Sequence, residues 1–358
     1  MPFDQDFRLF LNPRHGVPGI VALTAAGFRR ARAEIVSWEG YGATPLVGLD
    51  VAGVGSVHVK DEAGRFGLGS FKALGGAYAV RGVVRAALGK AVTVCCATDG
   101  NHGRSVAWGA ARFGAGCRIF VHEGVSAGRV EAIARYGAVV ERAGATYDES
   151  VRFAAAAAAR EGWVVVSDTS WPGYTEIPRE VMQGYRVMVD EALDQMGALA
   201  PTHVFIQGGV GGVAAAVAVH VRSRVQPTPV LVVVEPEQAA CLLLSAEAGE
   251  MRTAPGALDT IMAGLACGEP SLLAWQELER SASAFMAIPD AAAVDGMRML
   301  AGVGVVSGES GAAGMAGLML AAGNAAARGA LGLDGDSRVL VFSTEGATDP
   351  AIYARLVA

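Results

Sequence analysis

Along the chain, blocks of apolar and polar positions change period in a regular alternation. Thr24 to Val36, after the Pro18-Gly19 turn, has the spacing of a helix. Thr44-Pro45-Leu46 then leads into short strands that end in the alternating run Val57-His58-Val59-Lys60. Ala91 to Ala97 is a continuous β-branched apolar run between glycine signals, the pattern of a strand buried on both faces. Helix-like Gly103 to Gly114, strand-like Cys117 to His122, helix-like Ser126 to Tyr136 and strand-like Ala138 to Arg142 follow. Tyr147 to Glu161 reads as an alanine-dense helix and Trp163 to Ser167 as a strand. Past the Trp171-Pro172-Gly173-Tyr174 loop, the spacing predicts a long helix over Ile177 to Met196. Three more strands are predicted at His203 to Ile206, Val230 to Val234 and Arg338 to Phe342.

Strands alternating with helices imply an α/β chain of parallel, doubly wound sheets, with ligands bound outside the carboxyl ends of the strands. The change of rhythm near residue 174 divides the chain into two domains. Residues 1–84 and 175–358 form the larger and 85–174 a smaller one inserted in it. Functional residues are therefore expected just after strands.

The 358 residues, 52% apolar and 18% charged, suffice for two large cores. A net charge of -6 without any basic stripe argues against nucleic acid as a partner. A mean hydropathy of +0.36 raises the membrane question. Yet a charge-poor stretch such as Gly311 to Ala327 is alanine- and glycine-rich, too weakly apolar to span a bilayer. The start at Met1-Pro2-Phe3-Asp4 lacks a basic and apolar leader, so a soluble cytoplasmic protein is expected. Cys95, Cys96, Cys117, Cys241 and Cys267 lack ligand spacing and the six histidines are scattered, so no metal is expected. Cys241, after the Glu235-Pro236 strand end, and Cys267, in a glycine-flanked loop, are expected to approach within disulfide reach.

Lysine occurs only at positions 60, 72 and 90. Lys60 ends a strand beside Asp61 and Glu62, and Lys90 follows Gly89 in a turn expected to be solvated. Lys72 differs: Gly69-Ser70-Phe71-Lys72 runs straight into a helix, which places the amine at a helix start among apolar and glycine neighbours. Such an amine can lose its proton readily and attack a carbonyl, making it a Schiff-base candidate; the alternative is a solvated helix-start lysine.

Three loops after strands carry further chemistry. Thr98-Asp99-Gly100-Asn101-His102-Gly103 offers an amide donor at Asn101 and a proton-transferring carboxylate at Asp99, or equally an Asx turn capping the next helix. Gln207-Gly208-Gly209-Val210-Gly211-Gly212 opens another helix and suits a phosphate held on backbone N–H groups. Gly209-x-Gly211-x-x-Ala214 also satisfies the dinucleotide fingerprint, with Glu235 about 20 residues on in the position of a ribose ligand. A nicotinamide oxidoreductase is therefore an alternative, one that leaves Lys72 and the Asp99 loop without a role. Ser343-Thr344-Glu345-Gly346 can set Thr344 against a ring nitrogen, and Ser307 to Gly311 is a second site loop or a helix cap.

Together these motifs resemble the fold-type II pyridoxal-phosphate enzymes. The strings "FGLGSFKALGGAYA", "ATDGNHGR", "TYDES", "DTSWPGYTEIP", "QGY", "TIMAGLACGEP", "SGESGA" and "FSTEGATD" resemble, more closely, the diaminopropionate ammonia-lyase family. The resemblance implies a homodimer that eliminates ammonia from D- or L-2,3-diaminopropionate to give pyruvate and a second ammonia. It implies that Lys72 binds pyridoxal phosphate and acts as one base, with Asp99 as acid/base on the opposite face. Asp168 would face the distal ammonium of the substrate with Tyr147 nearby. Asn101, the loop Gly208 to Gly212 and Thr344 would contact the cofactor's oxygen, phosphate and ring nitrogen. The sequence departs from the family in a short passage through Gly89-Lys90 and a brief N-terminal arm. Serine or threonine dehydratase and β-replacement chemistry remain alternatives within the same cofactor class, and a catalytically silent binding protein is an alternative outside it.

Overall fold

The computed structural model describes every residue except Met1, Pro18 and Asp99. Its strands are β1 (Arg8–Leu11), β2 (Leu46–Leu49), β3 (Ser56–Asp61), β4 (Thr93–Ala97), β5 (Gly116–Val121), β6 (Val139–Arg142), β7 (Val164–Val165), β8 (His203–Gln207), β9 (Val230–Pro236), β10 (Ala284–Ile288) and β11 (Arg338–Ser343). A seven-stranded sheet runs in the order β1-β10-β9-β8-β11-β3-β2 and a four-stranded one in the order β6-β5-β4-β7. All pairings inside both sheets are parallel, as the alternation implies.

The larger sheet departs from that expectation at both edges, where β1 pairs with β10 and β2 with β3 in antiparallel sense. The few residues between β2 and β3 permit only an antiparallel return, since a parallel one needs a crossover. Neither β1 nor β10 was among the predicted strands. The N-terminal arm covers the open edge of β10, which would otherwise expose a row of unpaired backbone groups. Strands β8, β9, β10 and β11 of the larger sheet are buried on both faces. Val204, Ile206, Val233 and Leu340 pack into one core, while Phe205, Val232, Val234 and Val341 pack into the other.

Eight helices position the functional segments: α1 (Ala25–Ile35), α2 (Ala73–Ala86), α3 (Asn101–Phe113), α4 (Ala127–Ala134), α5 (Tyr147–Glu161), α6 (Glu176–Met196), α7 (Gly212–Arg224) and α8 (Cys241–Ala248). Helices α2 and α6 approach backbone to backbone. A Cβ at Gly184 of α6 would lie 1.9 Å from the Leu74 carbonyl oxygen, so only glycine lets the two helices meet there.

Between β3 and α2 lies a buried ionic network. Arg65 donates to both oxygens of Glu62 at 2.7–2.8 Å and to both oxygens of Glu191 in α6 at 2.7–2.9 Å. Lys60 completes it, 2.8 Å from Glu191 and hydrogen-bonded to the Thr44 carbonyl and to Gln195. Lys60 is thus a fully buried cation whose nearest carboxylate comes from α6, whereas the sequence suggested its neighbours Asp61 and Glu62. The network anchors the segment from Glu62 that leads to Lys72. Removing one member leaves buried charges unbalanced, which costs about 3–5 kcal/mol. Arg65→Met is therefore expected to lower the unfolding free energy by about that amount in urea titration. Arg160→Ala, which breaks only the exposed pair with Glu161, should change it by less than about 1 kcal/mol. Equal effects of the two variants would contradict the structural role of the network.

Candidate active site

One cleft of about 870 Å³, counted with its mouth, gathers the chemistry-bearing segments at the carboxyl ends of β4, β7, β8 and β11. Lys72 enters from the end of the β3–α2 connection. Its carbonyl accepts from Gly75 and Gly76 N–H, so the lysine forms the first corner of α2. The Lys72 loop is clamped to the loop after β11 by two backbone bonds, Phe71 N–H to Thr344 O at 3.0 Å and Gly346 N–H to Gly69 O at 2.9 Å. The lysine and Thr344 are thereby held on one scaffold.

The Lys72 ammonium lies 2.6 Å from Asp168 Oδ2, and its Nζ stands 5.4 Å and 5.8 Å from the ring centres of Phe71 and Tyr185. Burial alone would lower the lysine pKa, but Asp168 and Tyr185 outweigh it and hold the amine well above its ordinary range. This corrects the expectation of a readily deprotonated amine: the carboxylate that stabilises the cation lies far away in the chain. Asp168 is likewise held well below the usual carboxylate range, because His102 and the Lys72 ammonium overcome the effect of burial. Tyr147 at the start of α5 directs its hydroxyl to Asp168 Oδ1 at 3.4 Å.

His102 donates from Nε2 to the Val166 carbonyl at 2.8 Å, which leaves Nδ1 facing Asp168 Oδ2 at 3.7 Å. Burial lowers its pKa. Asn101 lines the cleft and donates to Glu345 Oε2. Gly208, Gly209, Val210 and Gly212 line the opposite wall, and Gly211 lies within the same turn. Gly209 and Gly211 have φ of +57° and +96°, a conformation that suits glycine. No side chain caps the start of α7, so its first N–H groups are left for an anion. Thr344 lines the same cleft. Asp99 lies outside the described residues.

A family model described as "Pyridoxal-phosphate dependent enzyme" matches residues 38–345. The chain belongs to that family. It is 40% identical over 350 residues to the diaminopropionate ammonia-lyase of Escherichia coli strain K12, covering 89% of this chain and 88% of the relative. The holo crystal structure of the Escherichia coli diaminopropionate ammonia lyase superposes with a TM-score of 0.94 at 36% identity, covering 100% of this chain and 98% of that one. A second structure of that enzyme, in complex with an aminoacrylate-PLP azomethine reaction intermediate, gives a TM-score of 0.93 at 36% identity over the same shares.

Pyridoxal phosphate is the cofactor of this fold-type II family enzyme, and the donor set fits it. A primary amine, an uncapped helix N-terminus and a Thr344 hydroxyl that donates to no described protein group share one cleft. The nicotinamide alternative meets a physical obstacle in Glu235. Its carboxylate is fully buried and accepts from Leu242 and Leu243 N–H, both at 2.8 Å, so it caps α8 and cannot reach a ribose. Cys241 and Cys267 are both buried thiols with no disulfide between them, and Cys267 is among the groups that raise the Cys241 thiol. Among the described residues no group of His, Cys, Asp and Glu could hold a metal ion, and no helix is long and apolar enough to cross a membrane.

Sequence reasoning passed over His102, Tyr185 and Gln207, although each stands inside a string singled out by its motif or resemblance. Tyr185 is buried against Phe71, with ring centres 4.6 Å apart, and its hydroxyl has no hydrogen-bond partner. Only the packing of α6 against α2 aims it at the lysine.

Burial pushes Glu235 up to about 8 against the pull of its two N–H donors. The unfolded chain loses this proton near pH 4.5 while the folded chain keeps it to about 8. Its contribution to stability is therefore full below the lower value and is lost as pH rises through the upper one. Glu235→Gln, which cannot ionise, should cancel this slope. The unfolding free energy of the wild-type protein minus that of the variant is expected to fall by a few kcal/mol between pH 5 and 9. Urea titrations that give parallel pH curves for the two proteins would refute the assignment.

Proposed function

We propose that this protein is a diaminopropionate ammonia-lyase, removing ammonia from 2,3-diaminopropionate to leave pyruvate and a second ammonia. The observation that carries the reading is a deeply buried carboxylate, Asp168, holding a primary ammonium at 2.6 Å inside the cofactor cleft. The relatives named above support it. Serine and threonine carry no second amine, and an ionised buried carboxylate would face their neutral hydroxyl uncompensated.

When bound, pyridoxal phosphate supplies the electron sink that allows the Cα proton of an amino acid to be removed. Lys72 would anchor it covalently, Asn101 would meet its ring oxygen, the turn from Gly208 to Gly212 would hold its phosphate, and Thr344 would meet its ring nitrogen. Asp168, with the Tyr147 hydroxyl beside it, receives the distal ammonium of the substrate. The Lys72 amine, freed when the α-amine of the substrate takes its place on the cofactor, would then stand beside a carboxylate already occupied by that ammonium and could take the Cα proton from one face. Asp99 is assigned the opposite face on the sequence alone. As the Cβ–N bond breaks, its electron pair leaves with nitrogen as neutral ammonia, and Asp168 is again available to the Lys72 ammonium.

The same proposal includes a division into residues 1–84 with 175–358 and residues 85–174, supported by a four-stranded sheet formed wholly between Thr93 and Val165. A homodimer, implied by the sequence resemblance, and a cytoplasmic setting complete it.

Steady-state kinetics on D- and L-diaminopropionate and on serine test the roles. Asp168→Asn is expected to lower kcat/KM for diaminopropionate about 100-fold or more and for serine far less, as loss of a buried charge partner requires. Asp99→Asn should depress mainly the D enantiomer, with Lys72 continuing to serve the L form. Equal losses on all three substrates, or a wild type faster on serine, would move the reading to a dehydratase.

A further inference from the structure

Gln207, the last residue of β8, is 1% exposed and ends in the middle of four oxygens. Its Nε2 lies 3.1 Å from Ser310 O, 2.8 Å from Gly311 O, 3.0 Å from Phe342 O and 2.8 Å from Thr344 Oγ1. An amide nitrogen carries two hydrogens and accepts nothing. The three carbonyls are acceptors only, so the opposite orientation of the amide would set Oε1 against oxygen on every side. Gln207 Oε1 itself is buried and has no hydrogen-bond partner.

The consequence falls on Thr344. Gln207 Nε2 has two hydrogens for four oxygens, and the two nearest, Thr344 Oγ1 and Gly311 O at 2.8 Å each, take them; the hydroxyl hydrogen of Thr344 goes to no described protein group. The one carboxylate adjacent in sequence is committed elsewhere: Glu345 Oε1 accepts from Ser310 N–H at 3.1 Å and Oε2 accepts from Asn101. Nothing acidic is therefore presented beside Thr344 from its own loop.

We propose that Gln207 is a positioning residue: by donating to Thr344 Oγ1 it fixes that hydroxyl as a donor toward the ring nitrogen of the bound cofactor. This rests on the cofactor placement proposed above, though not on the identity of the substrate. A pyridine nitrogen that receives a hydrogen from a hydroxyl must offer its lone pair, whereas a protonated one needs an acceptor. With Nε2 on one side of Thr344 Oγ1, the threonine is biased to the first role.

The test uses holoenzyme reconstituted with pyridoxal phosphate labelled with 15N in the ring, read by NMR. The wild type is expected to give the shift of an unprotonated, hydrogen-bonded pyridine; a pyridinium shift overturns the proposal. Gln207→Met, equal in length but without a donor, should move the ring 15N signal. It should also lower kcat about ten- to hundredfold with little change in KM, the size of one lost hydrogen bond to a reacting system. In a Thr344→Val background the same Gln207→Met change should add nothing, because the coupling runs through the hydroxyl. Equal losses with and without that hydroxyl would make Gln207 a mere brace between strands and overturn the proposal. Should Gln207→Met fail to fold, Thr344→Ser should keep the wild-type shift and Thr344→Val should lose it; an unchanged shift in the valine variant also overturns the proposal. An enzyme inactive on diaminopropionate that still gives the expected shifts would sink the substrate reading alone.

Discussion

A single buried carboxylate, Asp168, can satisfy one cation at a time, and the organisation of the cleft follows from that limit. In the structure its partner is the Lys72 ammonium at 2.6 Å, and each group drives the other toward its charged form. A lysine so paired is a poor nucleophile and a poor base. On the function proposed above, the cofactor takes the Lys72 amine and the distal ammonium of the substrate takes these oxygens. On the same proposal, a ligand without a distal positive charge leaves the buried carboxylate uncompensated. Leaving either charge buried and alone is far costlier than exchanging partners.

Such an exchange needs walls that do not yield, and the fold supplies them on both sides of the lysine. Behind it, Arg65, Lys60, Glu62 and Glu191 tie the approach to α2 onto α6. Beside it, backbone bonds clamp the Lys72 loop to the loop of Thr344. The close contact of α2 and α6 at Gly184 then brings Tyr185 over the amine. Parallel strands ending at one level place the Thr98, Asp168, Gln207 and Thr344 segments around the same opening, as α/β sheets commonly do.

Much of this was legible from the sequence because strand ends announce themselves. Apolar β-branched runs stop at Ala97, Gln207 and Ser343, and the residues that follow are glycine or short polar side chains with few structural duties of their own. The amine at Lys72 was legible for the same reason. Its protonation was not, because Asp168 lies 96 positions away and only the fold sets it beside the lysine. Lys60 was misjudged in the same manner: local carboxylates at Asp61 and Glu62 were visible, while Glu191 on α6 was not. The strands β1 and β10 escaped because a short apolar run can be read as strand or helix until its edge partner is known. Gln207 and Tyr185 carry no composition signal either; their roles arise from which atoms the folded chain aims at them.

The central claim is that Lys72, alone among three lysines, holds the cofactor while Asp168 awaits a cation. Reduction of the purified holoprotein with borohydride, followed by digestion and mass spectrometry, addresses it directly. The account expects the yellow colour to bleach and the reduced cofactor to be found on the peptide that contains Lys72. Attachment at Lys60 or Lys90, or a colourless protein that takes up no pyridoxal phosphate, would contradict it.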